Sequence, residues 1–229
     1  MKTVGIIGGL GPETTSKFYL ETVFECFEKD KKNRPPMLIW NVPLPYDIEE
    51  RFITKAENEE EYIPLLTDAA KRLEAGGADF IVIPCNSVHI FINEVRESVN
   101  IPVLSIIEET TKFLEEKNIN EVGILATSAT LRKRLYEDKL NAKKIAVHTP
   151  NEEDQNKMGE IINNLIHSRH NDQDKLELVK IIKTFADQNI KTILLACTDL
   201  QLITPEVEES KVYDTMKILV DSTVREILD

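Results

Sequence analysis

Cysteine is scarce in this 229-residue chain: there are three, at positions 26, 85 and 197, and no Cys-x-x-Cys pair. An odd count at such wide spacing argues against a disulfide framework. It also carries no four-ligand zinc signature, so no metal site is expected. Long apolar runs are missing too, and no segment reads as a membrane-spanning helix. Positive charge is in deficit, with 28 Lys and Arg against 40 Asp and Glu and a net charge of −12. That balance counts against nucleic acid and against an anionic membrane surface as partners. Low-complexity blocks are absent, and 41% hydrophobic residues is too many for a disordered chain. The opening Met1-Lys2-Thr3-Val4-Gly5-Ile6-Ile7-Gly8-Gly9 is too short and too Gly-rich for a signal peptide, so the expected address is the cytoplasm.

What the chain does have is alternation. Short, β-branched, nearly uncharged runs predict buried strands at 3–8, 37–41, 80–84, 103–105, 122–126, 144–148, 192–196 and 211–213. Charged segments with helical spacing lie between them. Tyr62, Leu65, Leu66, Ala69, Ala70 and Leu73 form one stripe, stopped by Gly76-Gly77, and 215–228 reads as a C-terminal helix. This pattern means α/β architecture, with mostly parallel sheets flanked by helices. An internal repeat divides it. Val4-Gly5-Ile6-Ile7 recurs as Val122-Gly123-Ile124-Leu125, and Ile83-Pro84-Cys85-Asn86-Ser87 is echoed by Leu195-Ala196-Cys197-Thr198-Asp199. Two pseudo-symmetric lobes follow, each with a Cys at the end of its third strand and a cleft between them.

Cys26 sits in the first helix among Val23, Phe24 and Phe27 and reads as core filler. Cys85 and Cys197 are different. Each follows an apolar strand and precedes small hydrogen-bonding residues, at the strand edge where open parallel sheets bind ligands. A helix N-terminus there favours thiolate and can also hold a carboxylate. Asn86, Ser87 and Thr198 add side-chain donors.

Pro84-Cys85-Asn86-Ser87-x-His89 and Ala196-Cys197-Thr198-Asp199 resemble the amino-acid racemase family that includes aspartate and glutamate racemases. Gly8-Gly9-Leu10-Gly11-Pro12-Glu13-Thr14-Thr15, the run Ile101 to Thr110, and Leu125-Ala126-Thr127-Ser128-Ala129-Thr130 look like its aspartate racemase branch. The resemblance implies an enzyme that needs no cofactor, takes a small acidic amino acid, and interconverts L- and D-aspartate. Cys85 and Cys197 would flank the α-carbon as thiolate base and thiol acid. Asn86, Ser87, Thr127, Thr130 and Thr198 would be donors to the substrate carboxylate, with Gly9, Leu10 and Gly11 bordering it as backbone. It further implies a homodimer, for which Phe18, Tyr19 and Phe91 are candidate interface residues.

Several readings stay open. The Gly8–Pro12 run lacks the ending of a phosphate loop and the spacing of a dinucleotide fingerprint, so a tight strand–helix turn competes with a binding loop. The family's Arg for a distal carboxylate is expected directly after Asp47, where this chain has Ile48; Arg51 stands one helical turn on. A second cation, usually a Lys in the family, aligns with His167. His89 either biases Cys85 or is a surface residue. The expected lobes are 1–100 plus 206–229 and 101–205, hinged at Ile101-Pro102 and Pro205. A glutamate, other amino-acid or hydantoin racemase, a maleate isomerase, and a non-catalytic carboxylate-binding protein are the alternatives.

Overall fold

The computed structural model describes residues 1–46, 48, 59–204 and 206–229. Arg51 and Pro205 therefore lie outside the described residues. Among those described, two four-stranded parallel sheets are built the same way. The first has β1 (Val4–Gly8), β2 (Met37–Asn41), β3 (Phe80–Val82) and β4 (Val103–Leu104), in the order β2-β1-β3-β4. The second has β5 (Glu121–Leu125), β6 (Ala146–His148), β7 (Thr192–Leu195) and β8 (Lys211–Asp214), in the order β6-β5-β7-β8. The two-lobed α/β reading of the sequence matches this architecture.

The repeated Val-Gly-Ile lies on β1 and β5, next to the centre of each sheet. A Cβ on Gly5 would come within 2.9 Å of Ala78 and 3.1 Å of Leu73. One on Gly123 would come within 2.8 Å of Phe185 and 2.9 Å of Ile193. In both lobes a helix presses on the same strand position, and only glycine leaves it room. Those helices are α2 (Tyr62–Ala75) and, in the second lobe, the one spanning Asp172–Asp187. The predicted stripe on α2 is the buried face, through Leu66, Ala69, Ala70 and Leu73. The Gly76-Gly77 stop is present, with Gly77 at φ +93 and the Ala78 N–H returning to the Leu73 carbonyl at 3.0 Å.

The lobes share one core. Val4, Ile6, Phe80 and Val82 of the first sheet pack in the same cluster as Val122, Ile124, Leu194 and Ala196 of the second. The helix Pro12–Asp30 (α1) and the C-terminal helix Thr215–Leu228 complete that cluster through Phe18, Leu219, Val220 and Val224. The last helix leaves the second sheet after β8 and ends beside the first strand, where the Lys2 N–H meets the Ile227 carbonyl at 2.9 Å.

The strand partners differ from the expected lobe boundaries. β4 pairs with β3 in the first sheet, and β8 pairs with β7 in the second. Each exchange between sheets therefore falls one strand later than positions 101 and 206. The Pro102 carbonyl accepts the Ile81 N–H at 2.8 Å, so this proline enters the first sheet.

The first helix also departs from expectation. Cys26 is fully buried, yet Phe24 is 65% and Phe27 55% exposed. At about 100° per residue, Cys26 shares its face with Phe18 and Thr22, while Leu20, Phe24 and Phe27 form a second apolar face turned outward. Phe18 and Phe91 are core residues, so of the three suggested interface residues only Tyr19 is exposed.

Candidate active site

In an order such as β2-β1-β3-β4, the chain leaves β1 to one side and returns on the other. The crevice between β1 and β3 is then open beyond their carboxyl ends. Cys85 follows β3 at that crevice, and Cys197 follows β7 at the equivalent crevice of the second sheet. Both thiols line one cavity between the lobes. Leu10, Tyr62 and Val88 contribute to its wall from the first lobe; Thr127, Ile166 and Thr198 do so from the second.

Hydroxyls tie the walls together. Ser87 Oγ lies 2.9 Å from Thr127 Oγ1 and 3.1 Å from Thr130 Oγ1, and the two threonine oxygens are 3.0 Å apart. Thr127 also caps the short helix Ser128–Arg132 by accepting the Thr130 N–H at 3.2 Å. Ser87 and Thr127 face the cavity, and Thr130 supports them from outside its lining.

Two donor assignments change. Asn86 lines the cavity, but its amide oxygen accepts the Tyr136 hydroxyl at 2.5 Å and its amide nitrogen donates to Thr215 Oγ1 at 3.1 Å. Its side chain therefore ties the Cys85 loop to the second lobe. Burial raises the Tyr136 phenol well above its ordinary range, so the hydroxyl stays a donor. The glycine run is a strand–helix turn. Gly9 (φ +82) and Gly11 (φ +100) need the left-handed region, and neither lines the cavity. The Gly9 N–H is bonded to Thr15 Oγ1 at 3.0 Å, so it is not offered to a ligand. Leu10, between them, does face the cavity.

The Asp/Glu/Hydantoin racemase family profile matches residues 7–223. The chain belongs to that family. A broad specificity amino-acid racemase of Bacillus subtilis (strain 168), RacX, is 27% identical over 228 residues, 96% of each chain. An aspartate racemase of Picrophilus torridus superposes with a TM-score of 0.84 at 26% identity, covering 99% of this chain and 94% of its own. An aspartate racemase homologue from Pyrococcus horikoshii OT3 superposes with a TM-score of 0.80, also at 26% identity, with both chains fully covered.

Within this racemase, His89 is buried and serves the backbone. Its Nδ1 donates to the Cys85 carbonyl at 2.7 Å, while its Nε2 accepts the Ile106 N–H at 3.1 Å. Burial holds it neutral, pushing its pKa down to about 4. His167 is exposed, caps the helix Glu152–Ile166, and lies outside the cavity; its neighbour Ile166 lines it instead. Ile48 packs against the first lobe's core. No Lys or Arg stands among the described lining residues.

Four lining residues escaped the sequence reading: Tyr62, Val88, Ile166 and Asp199. Tyr62 carried only a helix-stripe signal. Asp199 was visible as the second residue after Cys197, and the structure places it against the thiol: Cys197 Sγ donates to Asp199 Oδ2 at 3.8 Å. Burial first, and then this carboxylate, push the Cys197 thiol well above its ordinary range. Burial raises the Asp199 carboxyl as well.

Proposed function

We propose that the protein is a cofactor-independent amino-acid racemase that uses Cys85 and Cys197 as its two bases, with aspartate as its substrate. One observation carries this reading: two thiols at matching strand ends of two similar lobes line one cavity. Inversion at carbon needs a base on one face and an acid on the other, and a pseudo-symmetric pair of lobes supplies both. Cys85 and Cys197 exchange these roles between the two enantiomers. The α-C–H bond is a very weak acid, so charge developing on the substrate carboxylate needs donors. Ser87, Thr127 and Thr198 line the cavity with hydroxyls suited to that task.

A second reading concerns the substrate side chain. Leu10, Tyr62, Val88 and Ile166 make much of the wall apolar, which favours neutral amino acids alongside or instead of aspartate. The broad specificity named for the Bacillus relative agrees with it. Exchange of the α-proton in deuterated water, followed over a panel of amino acids, separates the two. Incorporation into aspartate alone supports the acidic assignment. Incorporation into neutral amino acids with none into aspartate overturns it, and none into any amino acid overturns the racemase reading.

The same proposal includes a homodimer and a cytoplasmic address. The outward apolar face of α1 supports self-association. No helix among the described residues is long and apolar enough to cross a membrane.

A further inference from the structure

The two thiols occupy matching places in the repeat, but their surroundings do not match. Two residues after Cys85 stands Ser87, a neutral hydroxyl held by Thr127 and Thr130. Two residues after Cys197 stands Asp199, whose Oδ2 faces the thiol at 3.8 Å. Its Oδ1 accepts the Thr14 hydroxyl at 2.6 Å, from α1 of the other lobe. Gly11 makes space for this carboxylate, since a Cβ there would lie 3.0 Å from Oδ1. Asp199 is thus fixed from both lobes with its Oδ2 turned to the Cys197 thiol.

From this asymmetry we propose that Asp199 is a positioning residue that keeps Cys197 protonated in the resting enzyme, leaving Cys85 as the thiolate that takes the first α-proton. The inference rests on the two-base reading above. A thiolate at Cys197 would put two negative charges side by side in a buried site, so the thiol and the carboxylate hold one proton between them. Among the described residues, charged groups from neighbouring elements do not reverse this. Glu13 on α1 adds negative potential at Asp199, and Cys85 adds it at Cys197 when ionised. Lys17 of α1 is bonded to the Gln201 carbonyl at 3.1 Å.

The proton count closes. Cys85 S⁻ takes the α-proton, and the C–H electron pair moves into the substrate carboxylate. Cys197 S–H then gives its proton to the opposite face of the same carbon. The enzyme is left with Cys85 S–H and Cys197 S⁻, and Asp199 makes this the higher-energy form. Turnover of the other enantiomer, or proton exchange with water, restores the resting state. One enantiomer therefore finds the resting enzyme ready, and the other must wait for the reset.

The test is iodoacetamide labelling of each thiol between pH 6 and 10, read by peptide mass spectrometry in the wild type, Asp199→Asn and Asp199→Ser. The serine variant gives Cys197 the neighbour that Cys85 already has. Each rate is divided by its own high-pH plateau, which removes the difference in burial. In the wild type the Cys85 midpoint is expected below that of Cys197. In both variants the Cys197 midpoint is expected to fall by about one pH unit, a roughly tenfold faster relative rate at fixed lower pH. A wild-type Cys197 midpoint at or below that of Cys85 overturns the proposal whether or not the variants fold. So does an unmoved Cys197 midpoint in a folded variant. Labelling of the expected form without α-proton exchange into any amino acid would remove the racemase reading alone. Exchange with equal thiol midpoints would remove the Asp199 assignment alone.

Discussion

The His89 imidazole donates to the Cys85 carbonyl at 2.7 Å, so the loop carrying one thiol hangs from a ring that must stay neutral. The Ile106 N–H occupies the other ring nitrogen at 3.1 Å, and a proton there would break that bond. The ring titrates at about 4 when folded against an ordinary 6.5. Between these values the unfolded chain binds more protons, so His89's contribution is complete above pH 6.5 and is lost as pH falls toward 4. At most it amounts to about 3 kcal/mol. His89→Asn is expected to lower stability at pH 7.5 by about 1–3 kcal/mol, through lost buried hydrogen bonds. It should also flatten the dependence of the urea midpoint on pH between 6.5 and 4. An equally steep slope in the variant would mean that another group carries the acid sensitivity.

The three cysteines separate cleanly by substitution. Cys85→Ala and Cys197→Ala should each abolish racemisation while the protein stays folded, because either loss removes one face's acid or base. Cys26→Ala should keep full turnover and lose only about 1 kcal/mol of stability from the small cavity it leaves. The readouts are steady-state racemisation and a denaturant midpoint for each variant. Full-rate racemisation by Cys197→Ala would refute the two-base mechanism.

These contrasts show what was legible in the chain and what was not. A parallel strand covered on both faces is an unbroken apolar run, so a Cys followed by Asn-Ser or Thr-Asp stands out at its end. The repeat of Val-Gly-Ile was legible for the same reason, since helix–sheet contact demands glycine at Gly5 and Gly123. Contacts across the lobes leave no local mark. Thr14 and Asp199 are 185 residues apart, and Tyr136 and Asn86 are 50 apart, so neither pair has a spacing signature. Helix α1 misled in another way. It carries two apolar faces, and composition alone does not say which one is buried. His167 failed because alignment fixes a place along a helix, whereas this ring lies at its exposed end.

Asp214 gives a pH effect of opposite sign. It caps the C-terminal helix by accepting the Met216 N–H at 2.8 Å, and burial raises its pKa from 3.8 to about 6. Between these values the folded chain holds the extra proton. Stability therefore falls as pH rises through this window, and the deficit is complete above pH 6. Asparagine caps about as well as aspartate and carries no charge. Asp214→Asn should raise Tm at pH 7.5 by about 2–4 °C, for a gain on the order of 1 kcal/mol. The gain should vanish near pH 4. Because His89 pulls the other way across an overlapping range, the two contributions partly cancel in the wild-type profile. Scans at several pH values in each variant resolve the two. A gain that persists undiminished at pH 4 would point to something other than ionisation.

The outward face of α1 predicts self-association. Leu20 is 49%, Phe24 65% and Phe27 55% exposed, and Tyr19 and Leu20 share a groove with the edge-strand residue Ile39, itself 45% exposed. Large aromatic side chains in one patch mark an interaction surface more often than they mark waste. A two-fold pairing of this face would cover it in both copies, and the edge of β2 lies beside it. The net charge of −12 opposes the approach of two copies, so screening should help them. Sedimentation equilibrium is expected to give a dimer whose dissociation constant falls as salt rises from 0.05 to about 0.5 M, where the Debye length shrinks to a few Å. Phe24→Glu should give a monomer at every salt concentration, since two carboxylates would face each other across the axis. An unchanged dimer in Phe24→Glu would place the contact elsewhere, and a monomeric wild type would leave this face as a surface for a different partner.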